Sequence, residues 1–362
     1  MKRFVFILVL LAVIAAGLVE WGVAAWDGPG LSAADGKQTT ILIAPGSRTH
    51  AVARMLEAKG VMKSGLMFEL NLRARRLAGK IKAGEYAIPS GASMAAIARI
   101  LVEGKSIQHK FTAAEGLTSD MIWKLAQADT VLTGDSGPVP AEGSLLPETY
   151  LFTRGETRRH LLDKMAAAQR AFLDQHWDKR VPGLPLRDRR EAVILASIVE
   201  KETALPDERR HIASVFINRL KIGMRLQTDP TVIYGLTKGY PLGRGIRQSE
   251  LEGATPYNSY VIAGLPPGPI CNPGKDSIAA VLNPQASEDL YFVATGHGGH
   301  VFASNSAQQA RNVAAYRAFE RQNRAGRRVE ESGGPGNTTV TVLDPSLPKL
   351  PPLARRKSTR HR

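Results

Sequence analysis

Hydrophobic and polar positions divide the chain into stretches of different character. Residues 4–26 are almost wholly apolar, with Glu20 as the one charged side chain. At about 1.5 Å of rise per residue, a helix of this length can cross a bilayer. Lys2 and Arg3 precede the run and Asp27 follows it. That asymmetry predicts a single-pass anchor in the cytoplasmic (inner) membrane, with the N-terminus in the cytoplasm and the rest of the chain periplasmic. Trp21 and Trp26 suit the far interface. A cleaved signal peptide competes with this reading, because VAA before Trp26 is a small-residue cleavage pattern.

After a short tether (28–37), residues 38–108 read as a small α/β module. TTILIAPG is an apolar strand closed by a Pro-Gly turn. THAVARMLEAKG places Val52, Met55 and Leu56 at helical spacing, with Gly60 past the last turn. A second helix is expected over 66–77, then a strand in KAGEYAIP. Ser93 caps MAAIARILVEG, which Gly104 ends. This strand–helix–helix–strand order resembles a LysM-like carbohydrate-binding module.

Residues 109–322 form a larger α+β region. HKFTAAEGLTSDMIWKLAQ gives a strand, a turn and a helix, and 130–143 is a polar loop. Helical patterns cover 157–177, the oily VILASIV segment and 207–221. The stretch 228–273 is rich in Gly, Pro, Tyr and Asn, a composition suited to the loops of a substrate groove. LYFVATGHGGHVFAS predicts a β-hairpin, and a last helix covers 306–324. Beyond about 322 the composition predicts a disordered basic tail (323–362).

Two acids end the oily helix, in SIVEKET. On a helical wheel, Ile194, Leu195, Ile198 and Val199 share one arc and Glu202 falls near its middle. Glu200 lies opposite, near Ala196, and reads as a solvated surface acid. Burial raises a carboxyl pKa, and a helix C-terminus pushes the same way. Glu202 is therefore a candidate general acid. The alternative is an ion pair between Glu202 and Arg209, Arg210 or Arg219.

The formal net charge of +15 asks for an anionic neighbour. No nucleic-acid-binding motif is present, and a chain lying outside the cytoplasm excludes nucleic acid as partner. The lone Cys271 excludes an intramolecular disulfide and a cysteine-based metal cluster. His297 and His300 in GHGGH lack a third ligand, so neither metal nor cofactor is expected. Ser144 and Ser197 have no evident partners for nucleophilic catalysis. Glu148 is a second possible acid. Tyr234, Asn258 and Tyr260 are candidates for sugar stacking and hydrogen bonding, or equally for structural turn roles.

SIVEKET, VFINRLKIGMRLQTDPTVIYG, TPYNSYVIAGLPPGPICNPG and YFVATGHGGHVF occur in this order. Together they resemble the YceG-like endolytic murein transglycosylases. EGSLLPETY is similar to a further segment of that family, with Ser144 and Leu145 at positions the family fills with aromatics. The resemblance implies a membrane-anchored enzyme that cuts peptidoglycan glycan strands internally, coupled to peptidoglycan synthases. It also implies that Glu202, the second acid of EKE, is catalytic. Such an enzyme protonates the glycosidic oxygen, and the muramic acid 6-hydroxyl then closes on C1 without water. Asn218, Gln227, Tyr234 and Asn258 are the candidates for stabilising the developing positive charge. Two rival readings remain at this level: a water-using muramidase with Glu148 or Glu200 as second carboxylate, and a non-catalytic peptidoglycan-binding scaffold.

Overall fold

The computed structural model describes residues 2–33 and 36–331. It begins with helix α1 (Lys2–Asp27). Among the described residues, no helix is long and apolar enough to cross a membrane. This overturns the expected transmembrane anchor, and with it the single-pass location at the cytoplasmic membrane. The packing at the end of α1 differs from what an anchor requires. Trp26, expected at a membrane interface, is 5% exposed and buried in protein. Its ring stacks on Phe68 with centroids 6.0 Å apart, beneath the Arg75 guanidinium at 4.7 Å.

Strands β1 (Gln38–Ile43) and β2 (Gly84–Pro89) pair antiparallel, from Gln38↔Pro89 to Ile43↔Gly84. Between them lie α2 (Thr49–Ala58) and α3 (Gly65–Ala74), and α4 (Met94–Glu103) follows. Ser64 and Ser93 accept hydrogen bonds from Met67 N and Ala96 N, satisfying first-turn amides of α3 and α4. The third helix stops before the expected residue 77 because Arg76 turns the chain in the left-handed region, at φ 55°. Leu56, Phe68, Leu72, Ile97 and Leu101 fill the module's core. The end of α1 packs against α3 and α4.

A second core forms where β3 (Gln108–Thr112) pairs antiparallel with β4 (Thr149–Thr153), beside α5 (Ser119–Ala128) and α6 (Arg158–Trp177). Phe111, Ile122, Leu145, Phe152 and Met165 close it. The carboxylate of Glu85 on β2 joins this unit to the first module, meeting His109 at 2.6 Å and Arg154 at 3.1 Å.

The third and largest core surrounds α7 (Arg189–Glu202). Asp188 caps it, accepting from Glu191 N at 2.9 Å. Every residue from Glu191 to Val199 is buried, so the middle of α7 has no wet face, and only Arg189, Arg190 and Lys201 at its ends are exposed. A short 3₁₀ turn (Pro206–Glu208) leads into α8 (Arg209–Lys221). The region expected to be loops contains α9 (Asp229–Thr237) and α10 (Gln248–Glu252). Then α11 (Lys275–Leu282) packs on α7 and α8. The predicted hairpin is β5 (Tyr291–Ala294) with β6 (His300–Ala303). The last helix, α12 (Ser306–Glu331), runs past 324. The remainder of the expected basic tail, 332–362, lies outside the described residues. The fold is thus mixed α+β, built from antiparallel strand pairs and a helical layer centred on α7.

Candidate active site

Glu202 is the last residue of α7, half-buried where the helix meets the chain preceding α9. Its Oε1 accepts the hydroxyl hydrogen of Thr228. Thr228 is itself held on several sides. Its N donates to Ser259 Oγ at 2.9 Å, and Thr231 Oγ1 donates to its carbonyl at 2.7 Å. Thr231 and Ser259 are fully buried, and their hydroxyls are 2.8 Å apart. The preceding residue, Gln227, adopts a left-handed φ of 48° and donates its N–H to Ser259 O at 3.1 Å. The hydroxyl facing Glu202 thus belongs to a rigid polar knot.

The Glu202 carboxyl is pushed up from its ordinary 4.5 to about 7. Burial is the largest cause. The Thr228 hydrogen bond opposes it, the Asp229 charge adds to it, and the charges of His300 and Arg219 oppose it. None of the three candidate arginines pairs with Glu202. Arg209 meets Asp276 and Glu115, and Arg210 Nε donates to Asn283 O. Arg219, 7% exposed, donates to Leu290 O and Leu226 O, each at 2.6 Å. Its own pKa is lowered, chiefly by burial. Glu202 is therefore an enclosed carboxyl with a neutral hydroxyl donor and no ion pair, which near neutral pH can give up a proton and take one back.

His300, at the start of β6, shares a carboxylate with the segment that leaves Glu202. Glu208 Oε1 accepts His300 N–H, and Oε2 meets His300 Nδ1, both at 2.7 Å. Thr203 Oγ1, one residue beyond Glu202, donates to Glu208 Oε2 at 3.3 Å. The hairpin is thereby fastened over the end of α7. His297 instead packs edge-on against Phe319, with centroids 4.4 Å apart. Among the described residues no group of three or more His, Cys, Asp or Glu is placed to hold a metal ion.

The other acids have defined partners. Glu200, read from the wheel as solvated, is half-buried and accepts from Gly274 N at 3.0 Å. The wheel misjudged its surroundings because the face opposite the oily arc is also covered by protein. Glu148 pairs with Lys275 at 2.5 Å. Glu142 accepts from Ser119 N at 2.8 Å and from the Tyr234 hydroxyl at 3.3 Å, and burial raises its pKa.

The sequence-derived binding candidates fall in different places. Tyr260 donates its hydroxyl to Asp229 Oδ1 at 2.6 Å, beside the Glu202–Thr228 contact. Exposed Gln227 adjoins Thr228. Tyr234 lies by Glu142, its ring tilted against Tyr257 at 4.8 Å. Asn218 Nδ2 donates to Ser287 O and Asp289 O. Asn258, fully buried, donates to the carbonyls of Glu250, Leu251 and Gly253 at the end of α10. Thr228, Asp229, Glu208 and Glu142 escaped the sequence reading. Thr228 and Asp229 did carry a signal, since TDP marks a helix start inside an otherwise loop-like stretch.

The YceG-like family model matches residues 41–315. A Streptococcus pneumoniae protein (serotype 2, strain D39) named endolytic murein transglycosylase is 30% identical over 329 residues, covering 77% of this chain. The chain spans 58% of that relative's length. A Bacillus subtilis (strain 168) protein of the same name is 30% identical over 301 residues, covering 74% of this chain and 82% of that one. A crystal structure of a yceG-like protein from Listeria monocytogenes has a TM-score of 0.46 and 29% identity, covering 76% of this chain and 99% of that one.

Proposed function

Because the chain belongs to the YceG-like family, we propose that it is an endolytic murein transglycosylase and that Glu202 is its acid and base. The observation that carries this reading is an enclosed carboxyl, pushed up to about 7, with a hydroxyl donor and no cation paired to it. In the first step Glu202 gives its proton to the glycosidic oxygen between MurNAc and GlcNAc. As that C1–O bond breaks, positive charge grows on C1 of the MurNAc. The resulting carboxylate takes the proton of the same sugar's 6-hydroxyl, and O6 bonds to C1. The strand then ends in a 1,6-anhydro ring, and Glu202 is protonated again. One carboxyl serves both transfers because no water has to be positioned.

A water-using muramidase needs a second carboxylate facing the bond. Glu148 is held by Lys275 and Glu200 by Gly274 N, which disfavours both for that role. Tyr260 and Gln227 line the substrate side beside Glu202, and the negative charge of Asp229, which accepts the Tyr260 hydroxyl hydrogen, lies near the developing positive charge. Asn218, Tyr234 and Asn258 act further back, fixing the elements that carry the site.

The module of residues 38–108 serves as a LysM-like glycan holder, and its strand–helix–helix–strand order supports that assignment. Cleavage of strands as they are made, in partnership with a peptidoglycan synthase, would end their elongation. The test of the enzymatic reading uses purified glycan strands with wild type, Glu202→Gln and Glu200→Gln. Turnover should fall at least about a hundredfold in Glu202→Gln and stay within roughly tenfold in Glu200→Gln. No turnover by wild type would leave the scaffold reading in its place, and equal turnover of wild type and a folded Glu202→Gln would move the acid to another residue.

A further inference from the structure

Beside the chain that leaves Glu202, a cavity of about 400 Å³ opens between the end of α6, the start of α8 and the end of α11. Its polar lining is His176, Lys179, Arg209, Arg210, Asp276 and Asn283, so three permanent cations face one carboxylate. Arg209 is 8% exposed. Its terminal nitrogens reach Asp276 at 3.3 Å and Glu115 at 3.5 Å, but its Nε is buried with no hydrogen-bond partner. That nitrogen is enclosed by protein, so what Arg209 offers the cavity is its terminal end, already engaged by these two acids. Arg210 contacts only the Asn283 carbonyl and amide oxygens, at 2.8 and 3.4 Å. Neither Lys179 nor Arg210 pairs with an acid among the described residues. The Nδ1–H of His176 goes to Phe172 O at 2.8 Å. The surplus positive charge therefore comes from Lys179 and Arg210, beside an Arg209 whose own charge is matched by Asp276 and Glu115.

We propose that this cavity binds a carboxylate of the peptide arm carried by the glycan strand. Carboxylates match arginine donors in number and geometry. Ala280 and Leu282 give the cavity an apolar wall for the short aliphatic side chains of such an arm. The size lies in the range that takes a small organic ligand rather than a lone ion. The position is also apt, because Pro206 and Arg209 belong to the cavity and follow Glu202 by a single 3₁₀ turn. The proposal rests on the glycan-strand reading above for the identity of the ligand.

The test is calorimetry on the full chain with the free peptide L-alanyl-γ-D-glutamyl-L-lysyl-D-alanyl-D-alanine. Its carboxamide form and inorganic phosphate serve as comparison probes. Lys179→Glu and Arg210→Glu are suitable variants because both side chains are exposed, and circular dichroism checks their folding. Saturable binding of the peptide is expected, weakened at least about tenfold in each variant, with the carboxamide form binding as weakly as the variants bind the acid. Absence of peptide binding, equal binding by the variants, or equal binding of the carboxamide form overturns the proposal. Binding of phosphate without the peptide also overturns it, in favour of a phosphate-bearing polymer. The peptide contains no glycosidic bond, so this outcome is independent of whether Glu202 proves catalytic.

Discussion

The hydroxyl of Thr228 donates to Glu202 Oε1, joining the end of α7 to a residue 26 positions along the chain. The contact does two opposed things. It fixes where the carboxyl points, and it lowers a pKa that burial has raised. The value of about 7 is the balance of these effects.

Removing the hydroxyl should tip that balance. In Thr228→Val the Glu202 pKa rises further, so the alkaline limb of the pH–rate profile moves to higher pH. The loss of one hydrogen bond should cost no more than about tenfold in turnover on the acid side. A profile unmoved in pH would show that the hydroxyl does not touch the working carboxyl.

Glu202 also makes the fold pH-dependent. Its folded pKa of about 7 lies above the ordinary 4.5, so as pH rises past 4.5 the unfolded chain ionises first and stability falls, levelling off above 7. The full penalty is about 3 kcal/mol. Glu202→Gln should therefore be more stable than wild type at pH 8, by up to that amount, and equal to it below about pH 4. Denaturant unfolding at the two pH values measures this directly.

Glu208 behaves with the opposite sign. Its pKa is lowered by hydrogen bonds from the His300 ring and backbone, which together outweigh the larger single effect of burial. Its contribution is present above the ordinary carboxyl pKa and is lost as pH falls through the depressed one. Glu208→Gln should destabilise the protein by about 1–3 kcal/mol at neutral pH, and the difference should shrink under acid conditions. Thermal unfolding across pH reads the effect.

Gly143 occupies a left-handed turn at φ 74°, where an added Cβ would stand 2.6 Å from Pro269 Cγ and 3.0 Å from Val193 Cγ1. Gly143→Ala combines backbone strain with overpacking against α7 and should cost about 2–4 kcal/mol. A midpoint of denaturant unfolding equal to wild type would contradict the tightness of this approach.

Much of the fold could be read from the chain because local chemistry and tertiary structure agree there. Ser93 and Gly104 bracket α4, and the glycine-rich turn of the hairpin joins β5 to β6. β4 was hidden because Leu151, apolar but exposed, sits between inward-facing Tyr150 and Phe152, so the sequence does not alternate where the burial does. The wheel placed Glu202 on the buried arc but mistook the opposite arc for a solvent face, since periodicity cannot detect a helix covered on every side. Apolar content predicted a membrane anchor, whereas Trp26 lies packed on Phe68. The exclusion of nucleic acid that leaned on that anchor then rests on the absence of binding motifs alone. Thr228 was out of reach because its role depends on a partner far away in sequence, which no local pattern records.

The central claim is that Glu202 drives an intramolecular ring closure with no water consumed. The most direct measurement is the mass of the strand ends released from purified glycan strands. Wild type should yield ends one water lighter than reducing ends, the mass of a 1,6-anhydro ring, and a folded Glu202→Gln should yield almost none. Reducing ends of full mass, or anhydro ends formed at the wild-type rate by Glu202→Gln, would contradict the account.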